Sequence, residues 1–124
     1  MFYETRKIMH STTIEVSATC VRVPVLRSHS EALSIHFSQE VSAKAAREVL
    51  KEAESIVLMD NPQEKIYPMQ MIATDTDETY VGRIRSDNFN KKILHLWCVA
   101  DQLRVGAATN AVRIAQKWIA MQNH

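Results

Sequence analysis

A chain of 124 residues is long enough for one domain with a core of its own and too short for two. Its 15 basic and 14 acidic residues are mixed along the length and leave a net charge of +1, so no basic block points to nucleic acid. No apolar run reaches the length of a membrane span, and Met1-Phe2-Tyr3-Glu4 does not read as a secretory signal, so no membrane partner and a cytoplasmic location are expected.

Residues 2 to about 9, with Tyr3, Ile8 and Met9 as apolar positions, read as the last turns of a helix. No Ser, Thr, Asp or Asn precedes it as a cap, which is expected of a chain cut, or a gene begun, in mid-domain. His10-Ser11-Thr12-Thr13 then leads into a strand predicted from Ile14 to Leu26, whose β-branched, apolar character suits burial. Arg22 does not suit burial, and must face an acid, a ligand or water. Seven residues separate it from His29, an odd number, so an unbroken strand would send the two side chains to opposite faces. Pro24 lies between them and predicts a bulge or bend that could bring both to one site.

A second strand is predicted from His29 to Phe37, with Leu33, Ile35 and Phe37 on one face and His36 on the solvent side. Ser42 is placed to cap a helix from Ala43 to about Ala53, with Ala45, Ala46, Val49, Leu50 and Ala53 as its apolar stripe. Ser55 to Met59 reads as a short strand, ended by Asp60-Asn61-Pro62-Gln63-Glu64, and Met69 to Ala73 as an extended segment. Thr79 to Ser86 and Lys92 to Ala100 form an expected antiparallel hairpin, with Arg83 and Arg85 on one strand face. The last element is a helix from Leu103 or Gly106 to Met121, with Ala108, Ala111, Val112, Ala115, Trp118 and Ile119 as a wide apolar stripe.

One internal helix among hairpin-type strands predicts an α+β fold, a mixed and largely antiparallel sheet with helices on one face. Cys20 and Cys98 fall in strand-like segments without ligand spacing and read as reduced, buried thiols. The five histidines are scattered, so no metal site is expected. Gly82 and Gly106 are the only glycines, which leaves no Gly-x-Gly-x-x-Gly turn and no P-loop.

The stretch Val16-Ser17-Ala18-Thr19-Cys20-Val21-Arg22-Val23-Pro24-Val25-Leu26-Arg27-Ser28-His29-Ser30 resembles the signature of aspartate-semialdehyde dehydrogenases. Each defined position is met, by Val16, Ser17, Cys20, Arg22, Val23, Ser28, His29 and Ser30. Glu4-Thr5-Arg6-Lys7-Ile8-Met9, Tyr80-Val81-Gly82-Arg83-Ile84-Arg85 and Gly106-Ala107-Ala108-Thr109-Asn110 extend the resemblance over essentially the whole chain. It is a resemblance to the C-terminal portion of such an enzyme, whose sheet is similar to that of glyceraldehyde-3-phosphate dehydrogenase.

The resemblance implies NADP-dependent interconversion of aspartyl phosphate and aspartate semialdehyde, in which a Cys thiolate attacks the acyl carbon. It implies that His29 is the acid/base, that Arg22 holds the α-carboxylate, Glu4 the amino group and Lys7 the phosphate, and that Asn110 lies near the nicotinamide. Taken alone, Glu4 and Lys7 would be a surface ion pair and His29 a structural histidine. The family's nucleophilic Cys, in an Asn-Cys motif, and its glycine-rich nucleotide-binding half have no counterpart here. Residues 1–102 are therefore expected to be part of the catalytic and dimerisation domain, and 103–124 a helix that packs on a nucleotide-binding domain. The expected partners are a small-molecule substrate, the N-terminal part of the same enzyme, and a second copy in a homodimer or larger assembly. The alternative is a noncatalytic assembly module derived from that domain.

Overall fold

The computed structural model describes residues 2–122. In chain order they form α1 (Phe2–Ile8), β1 (His29–His36), α2 (Ala43–Lys51), β2 (Ile56–Leu58), α3 (Gln70–Ala73), β3 (Thr79–Ser86), β4 (Ile93–Ala100), a π-helical turn (Arg104–Ala108) and α4 (Thr109–Gln122). The strands make one sheet in the order β1-β4-β3-β2, antiparallel except for the parallel β2–β3 pair. The fold is thus α+β with a mixed, largely antiparallel sheet, as the sequence predicts.

Period-two alternation decides which face is buried. Leu33 and Ile35 of β1, Leu94 and Leu96 of β4, and Val81 and Ile84 of β3 meet Ala43, Ala46 and Leu50 of α2. Ser42 starts that helix as predicted, its Oγ accepting from the Ala45 N–H at 3.1 Å, a cap worth about 1 kcal/mol. The β3–β4 hairpin turns where the Asp87 carboxylate accepts from the Phe89 and Asn90 amides at 2.8 and 2.9 Å.

The β3–β4 register slips between Gly82 and Arg85, making a bulge with Arg83 in the left-handed region at φ 54°. A buried carboxylate holds it: Asp60 accepts from the Arg83 amide at 2.7 Å and from Arg47 Nε at 2.7 Å, and Arg47 also donates to the Ile84 carbonyl. Ile84 drops into the core while Arg83 and Arg85 stay exposed. Beside the bulge, the position a Cβ on Gly82 would take is occupied by the Met59 carbonyl and, at 2.6 Å, by Pro68 Cδ.

Two expected elements are corrected. Residues 14–26 form no strand: they run as an irregular segment, with a tight turn at Pro24 in which the Val25 amide donates to the Val23 carbonyl at 2.9 Å. Val21 and Leu26 lie 75% and 107% exposed. A β-branched sequence forms a strand only against a partner, and no described strand pairs with this one. Met69 to Ala73, expected to be extended, ends in the helical turn α3. Gln70 reaches Ser30 of β1, Thr74 just after the turn bonds the Ser28 hydroxyl, and Ala73 is wholly buried, so packing overrides the local alternation.

Candidate active site

His29 opens β1, directly across from Ala100 of β4. The residue before it, Ser28, is left-handed at φ 75° and only 3% exposed. Its amide donates to Gln102 Oε1 at 2.9 Å, and its hydroxyl shares a 3.0 Å hydrogen bond with that of Thr74. On the other side of His29, Gln70 Nε2 donates to Ser30 Oγ at 2.7 Å. The imidazole itself is exposed and has no hydrogen-bond partner among the described residues.

One residue further back, the Arg27 guanidinium bridges Asp75 and Asp101, each at 2.8 Å. The Asp101 side chain is fully buried and also accepts from the Asp75 and Leu103 amides at 2.8 and 2.9 Å. Burial alone would push its carboxyl up. The Asp75 amide, the Arg27 guanidinium and the Leu103 amide outweigh that and hold it below the ordinary carboxylate range. Sequence reasoning missed this cluster. Arg27 sits in an undefined stretch of the signature, and the one available signal was an acid placed directly after an apolar strand.

Arg22 is exposed to solvent, as its charge requires, but in an irregular segment and not in the expected strand. The bend expected between Arg22 and His29 is present at Pro24. Glu4 and Lys7 are exposed and three residues apart on α1, hence on one helix face. Lys7, with Arg6, His10, Ser11 and Thr12, lines a shallow pocket of about 400 Å³. Arg6 donates to the Ile14 carbonyl at 2.8 Å and lies 4.2 Å from the Phe2 ring, which ties α1 to the turn that follows it.

Asn110 is exposed in the first turn of α4. Asp77 anchors that turn, accepting from Arg104 and from the Thr109 hydroxyl, both at 2.9 Å. These two partners hold the Asp77 carboxyl below its ordinary range. Cys98 is a partly buried thiol, pushed up to about 11 by burial and by the Glu31 charge, so it remains protonated at neutral pH. Cys20, expected to be buried, is exposed because its segment has no partner strand. Among the described residues no group of three or more His, Cys, Asp or Glu side chains could hold a metal ion.

The sheet face away from α2 carries a second shallow pocket of about 270 Å³, lined by Ala32, Ser34, Arg83, Arg85, His95 and Trp97 among others. There His95 Nε2 meets Asp87 Oδ2 at 3.0 Å. The candidate groups together offer a guanidinium, an ammonium, a carboxylate and an imidazole, all at the surface.

The sheet thus leaves the face away from α2 open, with an exposed His29 at the start of its edge strand β1. Residues 1–105 match the family described as semialdehyde dehydrogenase, dimerisation domain, and the chain belongs to that family. Its relatives narrow the class to aspartate-semialdehyde dehydrogenases. That of Campylobacter jejuni is 64% identical over 123 residues, covering 99% of this chain and 36% of the relative. That of Aquifex aeolicus is 54% identical over 116 residues, covering 94% and 34%. The crystal structure of aspartate semialdehyde dehydrogenase II from Vibrio cholerae, complexed with ASA, superposes with a TM-score of 0.91 at 37% identity, over 97% of this chain and 35% of that one. The chain thus spans about a third of the length of these relatives.

Proposed function

We propose that this chain is the substrate-holding, proton-handling and dimerisation part of an aspartate-semialdehyde dehydrogenase. The reaction is the NADP-dependent interconversion of 4-phospho-L-aspartate and L-aspartate 4-semialdehyde, on the route to lysine, threonine and methionine in the cytoplasm. The observation that carries the reading is the unbroken signature from Val16 to Ser30, ending at an exposed His29, in a fold shared with a relative that was solved with ASA.

Arg22 receives the substrate's α-carboxylate, because a planar fork of donors matches two carboxylate oxygens. Glu4 takes the amino group and Lys7 the phosphate, from one face of α1. His29 takes and returns the proton, the task to which imidazole is suited near neutral pH. The residues present fit only the nicotinamide end of NADP: Asn110 is exposed, and Gly106 has open space where a Cβ would be. Bound there, NADP would supply the hydride exchange with the substrate carbon. Asn110 would orient its carboxamide.

The nucleophilic thiolate comes from the part of the enzyme that this chain does not span, because burial keeps Cys98 protonated and Cys20 is not the signature's nucleophile. The chain alone therefore has no dehydrogenase activity. Residues 1–102 serve as the catalytic and dimerisation part, and 103–124 as the helix that docks on a nucleotide-binding domain.

A second reading, a noncatalytic assembly module, is favoured by the apolar residues that α4 leaves open. Val112, Ile114, Trp118 and Ile119 are 57%, 62%, 63% and 55% exposed. Both readings expect a dimer or larger assembly, and a lone 14.2 kDa species in sedimentation equilibrium at micromolar concentration would count against both. A chimera separates them, with this chain replacing the matching third of the Campylobacter relative. Phosphate-dependent turnover is expected, with kcat lowered about 10²- to 10⁴-fold by His29→Ala and KM raised by Arg22→Lys. A chimera that assembles but is indifferent to both substitutions would leave the assembly reading.

A further inference from the structure

Three residues around His29, namely Arg27, Ser28 and Ser30, are held far more firmly than its own ring. Ser28 adopts a left-handed conformation that L side chains avoid, and such conformations persist only where the surroundings over-determine them. Here they do. The Ser28 amide is fixed to Gln102, its hydroxyl to Thr74 and the Ser30 hydroxyl to Gln70, and Arg27 is bound by two carboxylates. Arg27 Nε is buried without a partner, so this guanidinium is placed for Asp75 and Asp101 at the expense of one of its own hydrogen bonds. All of these anchors lie in two short segments, 70–75 and 101–102.

We propose that Asp101 and Arg27 are positioning residues for His29: the buried Asp101 carboxylate, through Arg27 and the loop it braces, fixes the Ser28 turn from which the imidazole projects. A ring with no partner of its own inherits its direction from its backbone, and a proton-transfer group displaced by about 1 Å can lose about a hundredfold in rate. The opposite end of the same strand supplies the contrast. His36 is exposed too, but only the sheet ladder holds it, so it gauges what the strand alone provides. The inference rests on His29 as the acid/base for its catalytic meaning, but not for its structural content.

The test uses two variants of the full chain, Asp101→Asn and the milder Gln102→Ala, which removes only the acceptor for the Ser28 amide. Amide hydrogen exchange is followed by NMR at Ser28, His29 and Ser30, with His36, Val81 and Leu96 as internal references. Exchange about tenfold faster or more at the first three, with the references unmoved, is expected in both variants. In the chimera, each should lower kcat by about ten- to a hundredfold with little change in KM. Unchanged exchange at Ser28–Ser30, or acceleration shared equally by the references, would overturn the proposal. So would altered exchange without loss of kcat in an active chimera. If the unsubstituted chimera is inactive, the acid/base reading is what fails, and the exchange pattern alone decides the positioning.

Discussion

Residues 28–101 and the two ends of the chain are built differently. The buried side chains Ala73, Val81, Ile84, Leu94, Leu96, Val99, Ser28 and Asp101 all lie in the middle region, while no residue of α1 or α4 is buried. The ends instead carry Glu4, Lys7, Arg22 and Asn110, and His29 stands at the junction. Stability resides in one part, and most of the groups proposed to meet ligand in the other. Exposed, lightly anchored segments are free to complete a site with another part of an enzyme, whereas a packed core is not.

The sharpest way to break this division is a pair of identical substitutions. Ile84→Ala removes a side chain 2% exposed between α2 and the sheet, and is expected to cost about 2–5 kcal/mol in denaturant unfolding. Ile114→Ala in α4, 62% exposed, is expected to change stability by no more than about 0.5 kcal/mol. Comparable losses would mean that α4 belongs to the same cooperative unit.

A smaller loss is expected at the bulge. Gly82→Ala sets a methyl group against the Met59 carbonyl and Pro68, and because the first of these is backbone, the β2–β3 edge has to shift. Overpacking of this kind costs about 1–3 kcal/mol, read from the denaturation midpoint. The same change at Gly106, where nothing lies within 4 Å, should be stabilising or neutral, since Ala favours helix. A neutral Gly82→Ala would show that the bulge yields more easily than its Asp60–Arg47 brace implies.

How much of this could be read in advance follows the same division. The strands His29–His36, Thr79–Ser86 and Ile93–Ala100 and the capped helix after Ser42 were legible because alternation and capping are local signals that packing here reinforces. The segment 14–26 was misread because its β-branched residues state a preference that needs a partner to be realised. The short helix at Gln70 was missed because only its contacts with Ser30 and the buried Ala73 decide it. Around His29, the signature singled out the residue proposed as the acid/base, and the structure leaves it exposed at the start of β1. The Arg27–Asp101 brace was not, since residues 74 apart along the chain show no mutual pattern until the fold brings them together.

Acid sensitivity sharpens the comparison further, with a smaller effect. The His95 imidazole, followed by the Phe89 and Asn90 amides, lowers the Asp87 carboxyl from 3.8 to about 2. A carboxyl depressed in the folded state adds stability that is fully present above its unfolded value and is lost as pH falls through the folded one. The contribution should therefore fade between about pH 4 and pH 2, and Asp87→Asn should flatten that part of the stability curve. Because the pair is solvent-accessible, added salt should weaken the effect. An unaltered acid limb in the variant would place acid sensitivity elsewhere, with Asp101 the next group to substitute.

The smallest effect on stability is expected at the other tryptophan position. Trp97, in the middle region, is half-buried and donates from Nε1 to the Pro68 carbonyl at 3.1 Å, whereas Trp118 on α4 is 63% exposed. Trp118→Ala should move the unfolding free energy by no more than about 0.5 kcal/mol, because the folded chain gives that side chain little to lose. Its informative readout is fluorescence. In a Trp97→Phe background Trp118 is the sole tryptophan, and iodide should quench it freely in dilute solution. If α4 is a docking face, that quenching falls as concentration rises and the chains associate, and the loss of accessibility is specific to Trp118. Shielding that persists at the lowest concentrations would mean that α4 folds back on its own sheet, and the division between core and ends would then be wrong at its C-terminal boundary.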